Sequence, residues 1–202
     1  ICACLVGSEM CIRDSNNTIT DILNKIEVKA GDVVMVKAGT IHAIGAGVFI
    51  CEIQQNSNCT YRMYDYDRRD KFGNPRELHV KKALDVVDNH KYIKDNKTEV
   101  VIARNEHFTE ERLVQCKYFE VYKYDVNDEA KITVDEASFV SVLFINGSGT
   151  IETDDYEKTM EFKAGDSFFV SAGLRSIIIK GQATMVAVSY THLRAHETCA
   201  DL

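Results

Sequence analysis

The chain has 202 residues, 45% of them hydrophobic and 27% charged, which allows one large or two small globular domains. Its formal net charge of −7 excludes a general nucleic-acid or anionic-membrane binder, because both need clustered Lys and Arg. No apolar run is long enough to cross a bilayer as a helix, so no membrane partner is expected.

Residues 1–15 and 190–202, ICACLVGSEMCIRDS and YTHLRAHETCADL, carry no helix or strand periodicity. Both resemble translated sequencing-adapter DNA and are expected to be non-native, to be set aside as one sets aside a cloning scar. Cys2, Cys4, Cys11 and Cys199 go with them. The remaining cysteines, Cys51, Cys59 and Cys116, show no C-x-x-C spacing, which excludes a disulfide framework or zinc finger and fits reduced thiols in a cytoplasmic protein. His192 and His196 have helical spacing but no HExxH pattern, and they lie in the foreign tail, so they are not read as a metal pair.

Between these ends the elements follow in order. A helical turn starts near Thr18 or Thr20. Strands are expected over residues 28–36, 41–44, 48–55 and 60–66, broken by Gly-Asp and Ala-Gly turns and the Asn-Ser-Asn loop. Gly73-Asn74-Pro75 interrupts the pattern. Leu78, Lys81, Lys82, Ala83, Leu84 and Val87 suit one amphipathic helix, and 88–98 reads as a polar linker. From Val100 strands return, over 113–115, 118–125, 138–146, 149–153, 161–162, 167–170, 176–179 and 183–188. The abundance of Tyr, Phe, Val and Ile in short alternating runs makes the chain all-β, apart from a short helical linker.

One repeat organises this pattern. Lys29-Ala-Gly-Asp32 recurs as Lys163-Ala-Gly-Asp166, 134 residues on. At the same offset Val36 meets Val170, Ala38-Gly39 meets Ala172-Gly173, and Gly47 meets Gly181. Two similar β modules are implied, with glycines at corners that need φ > 0. The informative difference is that His42 meets Ser176. The first module holds a candidate metal ligand where the second has none.

Three further polar residues stand near His42 in sequence. Period-two alternation puts Glu52 and Gln54 on one strand face, and Arg62 with Tyr64 on a face of the next. Polar side chains turned into a barrel must be paired or used. Two readings of the residues stay open at this point: a buried Glu52–Arg62 ion pair with His42 hydrogen-bonded nearby, or an active site.

The AGTIHA turn, the run ICEIQQNSNCTYRMYDYDR and the segment GNPRELHVKKALDV resemble type I mannose-6-phosphate isomerase, the zinc-dependent bicupin of low-GC Gram-positive bacteria. The likeness runs from about Thr18 to Val188. It implies a double cupin of β-sandwich, jelly-roll barrels whose first cupin is incomplete. Residues 16–78 would be the C-terminal part of the catalytic cupin, 79–99 a helix and linker, and 100–189 a second, metal-free cupin. The resemblance makes His42 a zinc ligand, Arg62 the catalytic arginine and Glu52 the proton-transfer base, with Gln54 a substrate contact.

The implied reaction interconverts mannose 6-phosphate and fructose 6-phosphate, an intramolecular oxidoreduction through a cis-enediol. One Zn2+ per full-length chain polarises the sugar oxygens, and Arg62 steadies the enediolate. Arg68, Arg69 and Arg76 are candidates for the phosphate, although such a charge run also suits a solvated face. The family's remaining ligands come from a Gln-x-His-Pro motif and a following glutamate, neither of which is in this sequence. The chain is therefore expected to be a C-terminal fragment, inactive alone. The alternative is a non-catalytic sugar-binding or regulatory bicupin. A metal oxidase or decarboxylase cupin would need a His-x-His pair, which is absent from the sequence.

Overall fold

The computed structural model describes residues 19–21, 23–57, 59–88, 99–154 and 158–190. Thr18, the expected linker beyond Asp88, both adapter-like ends except Tyr190, and His192 and His196 lie outside these residues. The chain divides into two compact units, Ile1–Asp95 and Asn96–Leu202.

In the first unit the regular elements among the described residues are a 3-10 turn, Ile19–Asp21, and helix α1, Val80–Val86. Val80, Ala83, Leu84 and Val87 recur at helical spacing and share one side. That side packs with Ile19, Met63, Ile41 and Tyr64 into a small core. The helix stops where Val87 turns extended. There the Gly39 carbonyl accepts the Asp88 N–H at 2.9 Å. Gly39 is required twice over. Its φ is +81°, and a Cβ there would lie 2.8 Å from the Val86 carbonyl oxygen, closer than side chains come to backbone.

The strands expected over 28–66 do not form a ladder. One isolated bridge, Arg69↔Pro75, is the only strand pairing in this unit among the described residues. An alternating sequence becomes a strand only when a neighbour exchanges N–H···O=C bonds with it, and no described segment over residues 28–66 does so. Apolar side chains that a second layer would cover stay open: Phe49 is 88% exposed. The turns expected from the repeat do form, and in both copies. The Lys29 and Lys163 N–H groups donate to the Asp32 and Asp166 carboxylates at 3.3 and 2.9 Å. Gly31 and Gly165 sit at φ +89° and +91°, and Gly39 and Gly173 at +81° and +82°.

The second unit is an antiparallel β structure. Its strands are β1 Val100–Arg104, β2 Phe108–Gln115, β3 Phe119–Val126, β4 Glu129–Thr133, β5 Val140–Thr153, β6 Met160–Lys163, β7 Ser167–Val170 and β8 Ser176–Tyr190. The order is β1-β2-β3-β8-β5-β6, with β4 added to β8 and β7 to β5. The long strands β5 and β8 run side by side and change neighbours halfway. Residues 140–143 of β5 pair with β7 and residues 148–151 with β6. Residues 176–180 of β8 pair with β4 and residues 183–190 with β3. The change falls at glycines. Ile145 is left over between the pairs Phe144↔Met185 and Asn146↔Thr184, a bulge that bends the strand. Gly147 follows at φ +88° and Gly181, opposite Gly149, at +129°. Side chains from both halves then meet in one core, including Val142, Phe144, Ile151, Ile177, Ile179 and Met185. Phe144 stacks on Phe162 at 3.7 Å between ring centroids and meets Phe168 edge-on.

Several sequence boundaries shift. The pieces 138–146 and 149–153 are one strand, as are 176–179 and 183–188, because a glycine bend keeps the ladder going where sequence pattern suggests a stop. Strand β2 begins at Phe108 rather than 113. Strand β4, EAKIT, was not expected: it offers only Ala130 and Ile132 to the core, between charged residues. Tyr190, assigned above to the foreign tail, ends β8 in register with Phe119 and packs its ring 5.4 Å from Phe139.

Two turns at one end of this unit are tied together by His107 and Asp128. The His107 Nδ1 lies 2.9 Å from both Asp128 oxygens. Asn127 N–H donates to the His107 carbonyl at 2.7 Å. The Asp128 carboxylate accepts the His107 ring N–H, and that bond with its charge holds the imidazole above the usual histidine range. Reciprocally, the His107 bond holds the Asp128 carboxyl below the usual carboxylate range. The raised His107 stabilises below the ordinary histidine value and loses its contribution as pH rises through its own. The depressed Asp128 stabilises above the ordinary Asp value and loses its contribution as pH falls through its own. The pair is therefore intact between the two shifted values. In an NMR titration His107 should titrate above about 6.5 and return toward it in Asp128→Asn; an unshifted His107 in the unsubstituted chain would contradict the pairing.

Candidate functional site

His42 follows the second repeat turn and is exposed. Its Nδ1 lies 2.9 Å from the Thr40 carbonyl oxygen. A carbonyl can only accept, so Nδ1 carries the proton and Nε2 presents a lone pair outward. Fixing one ring nitrogen on a carbonyl to aim the other is how metal-binding histidines are commonly held. As a single ligand His42 fits zinc. A zinc site needs three or four ligands, and no group of three or more His, Cys, Asp or Glu suited to a metal occurs among the described residues. The residues in hand do not make a complete site.

The homologous place in the second unit is different chemistry. Ser176, 2% exposed, donates its hydroxyl to Asp154 Oδ2. The same oxygen accepts Lys131 Nζ at 2.8 Å. A buried hydroxyl there is satisfied by a neighbouring charge pair.

Glu52 and Gln54 are both exposed, and Ile53 between them is half-buried. Along residues 61–65 Met63 and Asp65 are buried, and Arg62 and Tyr64 are half-buried, Tyr64 against the small core. Arg62 is held, with its side chain 26% exposed. Its Nη1 donates to the Glu77 carbonyl at 3.2 Å. Its backbone is tied to His79 in both directions: Arg62 N–H to His79 Nδ1 at 3.3 Å, and His79 N–H to the Arg62 carbonyl at 2.7 Å. The Glu52–Arg62 pair allowed by the sequence does not form. His42, Glu52 and Arg62 make no hydrogen bond or ion pair with one another among the described residues.

The residue that sequence reasoning missed is Asp65. It is 8% exposed, and three arginines converge on it. Arg76 is bidentate, with Nε to Oδ2 at 2.6 Å and Nη2 to Oδ1. The Nε atoms of Arg62 and Arg68 lie 3.8 and 3.9 Å from the same Oδ1. The Arg76 hydrogen bond, aided by the three positive charges, holds the Asp65 carboxyl below the usual carboxylate range. The signal was present: alternation puts Asp65 with buried Met63, and a buried carboxylate requires cations. Of the phosphate candidates, Arg76 is taken by Asp65, and Arg69 by Asp67 and the Gly73 carbonyl, each at 3.1 Å. Arg68 is 62% exposed and lies over the Tyr66 ring at 5.6 Å.

The bent antiparallel fold of the second unit is of cupin type. Residues 109–191 match the family model described as mannose-6-phosphate isomerase, cupin domain. YvyI of Bacillus subtilis (strain 168), provisionally named a mannose-6-phosphate isomerase, is 42% identical over 170 residues, 82% of this chain and 51% of that protein. Mannose-6-phosphate isomerase ManA of the same organism is 34% identical over 176 residues, again 82% and 51%. The crystal structure of the mannose 6-phosphate isomerase from Bacillus subtilis superposes with a TM-score of 0.81 at 35% identity, covering 93% of this chain and 58% of that one. The chain therefore carries a mannose-6-phosphate isomerase cupin domain, and its relatives over most of its length are isomerases of that kind. It spans about half the length of the curated relatives it matches.

Proposed function

We propose that this chain is part of a cytoplasmic, zinc-dependent isomerase that interconverts mannose 6-phosphate and fructose 6-phosphate. The observation that carries the reading is the extent of the match. An alignment over 82% of the chain leaves fewer residues outside it than the 41 that precede His42, so it must contain His42, Glu52 and Arg62. The two modules would be the cupins of a double-cupin enzyme. Residues 16–78 would belong to the catalytic one, 79–99 to a helix and linker, and residues from 100 to the end of β8 to the other. Among the described residues no helix is long and apolar enough to cross a membrane, which agrees with this reading without deciding location.

In the proposed mechanism Glu52 takes the proton from C2 of the open-chain sugar and returns it at C1. The C2–H electron pair forms the C1–C2 double bond of a cis-enediol as O1 gains a proton, and the O2 hydroxyl gives one up when C1 is protonated, so no net oxidant is needed. Arg62 offers N–H groups and a permanent charge to the oxyanion that develops during this transfer. Gln54, on the Glu52 face of its segment, would orient a sugar hydroxyl. His42 would contribute one bond to a zinc ion whose Lewis acidity acts on the sugar oxygens. Because the other ligands are not among the described residues, no step is assigned to the metal.

The half-length match and the incomplete ligand set around His42 among the described residues support the reading that this chain does not turn over substrate by itself. The test is a coupled assay of the 202-residue chain, purified from a host lacking its own isomerase and supplied with zinc. Turnover above the host background is not expected. Turnover that disappears in Arg62→Ala would show instead that the chain is a complete enzyme. The rival reading, a sugar-binding module, requires mannose 6-phosphate to bind wild type and Arg62→Ala alike.

A further inference from the structure

We propose that Asp65 is a positioning residue for Arg62: its carboxylate fixes the orientation in which Arg62 presents its guanidinium. The catalytic meaning rests on the isomerase reading above, whereas the orientation itself does not.

The geometry is unusual for a structural ion pair. One carboxylate, 8% exposed, faces three guanidinium groups, a formal excess of two positive charges around it. Without Asp65 these cations would repel one another and swing toward water. They are not equally free to do so. The side chains of Arg68 and Arg76 are 62% and 47% exposed, and that of Arg62 only 26%. Arg62 is the one whose head group stays in. Two contacts fix its plane: Nη1 on the Glu77 carbonyl at 3.2 Å, and Nε facing Asp65 Oδ1 at 3.8 Å. Among the described residues Nη2 makes no hydrogen bond, so its N–H groups are kept for something else. A planar fork held at Nε and Nη1, with Nη2 open, is pre-organised for an anion that forms during reaction. Its reorientation then costs nothing at that moment.

Arg62 and Arg76 share Oδ1, so they compete for it. This gives the inference a signature that a merely structural tether lacks. Removing the carboxylate should loosen Arg62; removing Arg76 should tighten it.

The experiment follows the Arg62 Nε–H resonance in the full 202-residue chain labelled with 15N-arginine. The signal is assigned by its loss in Arg62→Lys, and its exchange with water is measured. Exchange should become about ten-fold faster in Asp65→Asn, the loss expected for one charged contact. It should become slower in Arg76→Gln. Backbone amides of Ile19, Met63 and Ala83 report whether the small core persists. If Asp65→Asn disturbs them, Arg76→Gln decides alone: slower exchange supports the proposal, and unchanged or faster exchange overturns it. If both variants fold, equal exchange in Asp65→Asn and wild type overturns it, as does a change of the same sign in both. None of these outcomes depends on turnover, so failure of this inference is separable from failure of the isomerase reading.

Discussion

Replacing Gly149 by Ala should severely destabilise the second unit. Gly149 lies in β5 directly opposite Gly181 of β8. A Cβ added at Gly149 would fall inside the van der Waals shell of the Lys180 carbonyl oxygen and 3.0 Å from a Phe162 ring carbon. The ring could shift, but the carbonyl cannot. It belongs to a strand whose ladder runs from Val140↔Ser189 to Thr153↔Ile177, so the two strands would have to part where β5 and β8 change neighbours. The same crossing admits nothing larger at Gly181, where a Cβ would lie 2.5 Å from the Ser148 carbonyl oxygen. The expected destabilisation is on the order of 4 kcal/mol or more, in the exceptional range reserved for backbone conflict. In a small domain of total stability about 5–15 kcal/mol this removes a large part of the margin. Urea unfolding of the unit is the measurement. A change below about 1 kcal/mol would show that the strands have room to move.

The second large effect is expected at Phe144, where Ala should cost about 3–5 kcal/mol. The ring is fully buried, stacked on Phe162, and packed at its edge by Phe168. Truncation would remove partners from strands β5, β6 and β7 at once and leave a cavity in the middle of the core. A conservative Phe144→Leu should recover part of the loss, because it restores volume without the stack. If Phe144→Leu and Phe144→Ala were equally destabilised, stacking rather than volume would be holding the site.

The sequence made some of this visible and hid other parts for physical reasons. The Lys-Ala-Gly-Asp repeat announced two similar turns, and the structure makes them alike to within two degrees of φ at Gly31/Gly165 and Gly39/Gly173, whereas Gly47 and Gly181, at +78° and +129°, differ. A turn is a local object, settled by a few residues, so it can be read locally. The same holds for α1, whose apolar spacing is complete within eight residues. Strand pairing is not local. Residues 28–66 alternate as strands do, yet without partners among the described residues they make no ladder. Residues 129–133 alternate strictly but offer only Ala130 and Ile132 as apolar positions, and they form β4 because β8 is beside them. The glycines at 147 and 181 fall in gaps between expected strands and act as bends in the structure.

The candidate site was legible to the same extent. His42 could be marked from the turn that carries it, and its Nδ1 bond to Thr40 is again a local contact. Alternation singles out Glu52 and Arg62 and the resemblance gives them their roles; in the structure Glu52 is exposed and Arg62 half-buried. Asp65 went unmarked because its importance lies in residues 62, 68 and 76 arriving from different directions, which spacing alone does not show.

The central claim is that this chain supplies the Arg62 side of a mannose-6-phosphate isomerase site whose remaining metal ligands lie in another part of the enzyme. The direct measurement is mannose-6-phosphate turnover by a chimera in which residues 19–190 replace the matching half of Bacillus subtilis ManA. The chimera should interconvert mannose 6-phosphate and fructose 6-phosphate, and Arg62→Ala should lower kcat by about a hundred-fold or more, as expected for loss of an oxyanion-stabilising donor. A folded, zinc-loaded chimera without turnover, or one indifferent to Arg62→Ala, would contradict it.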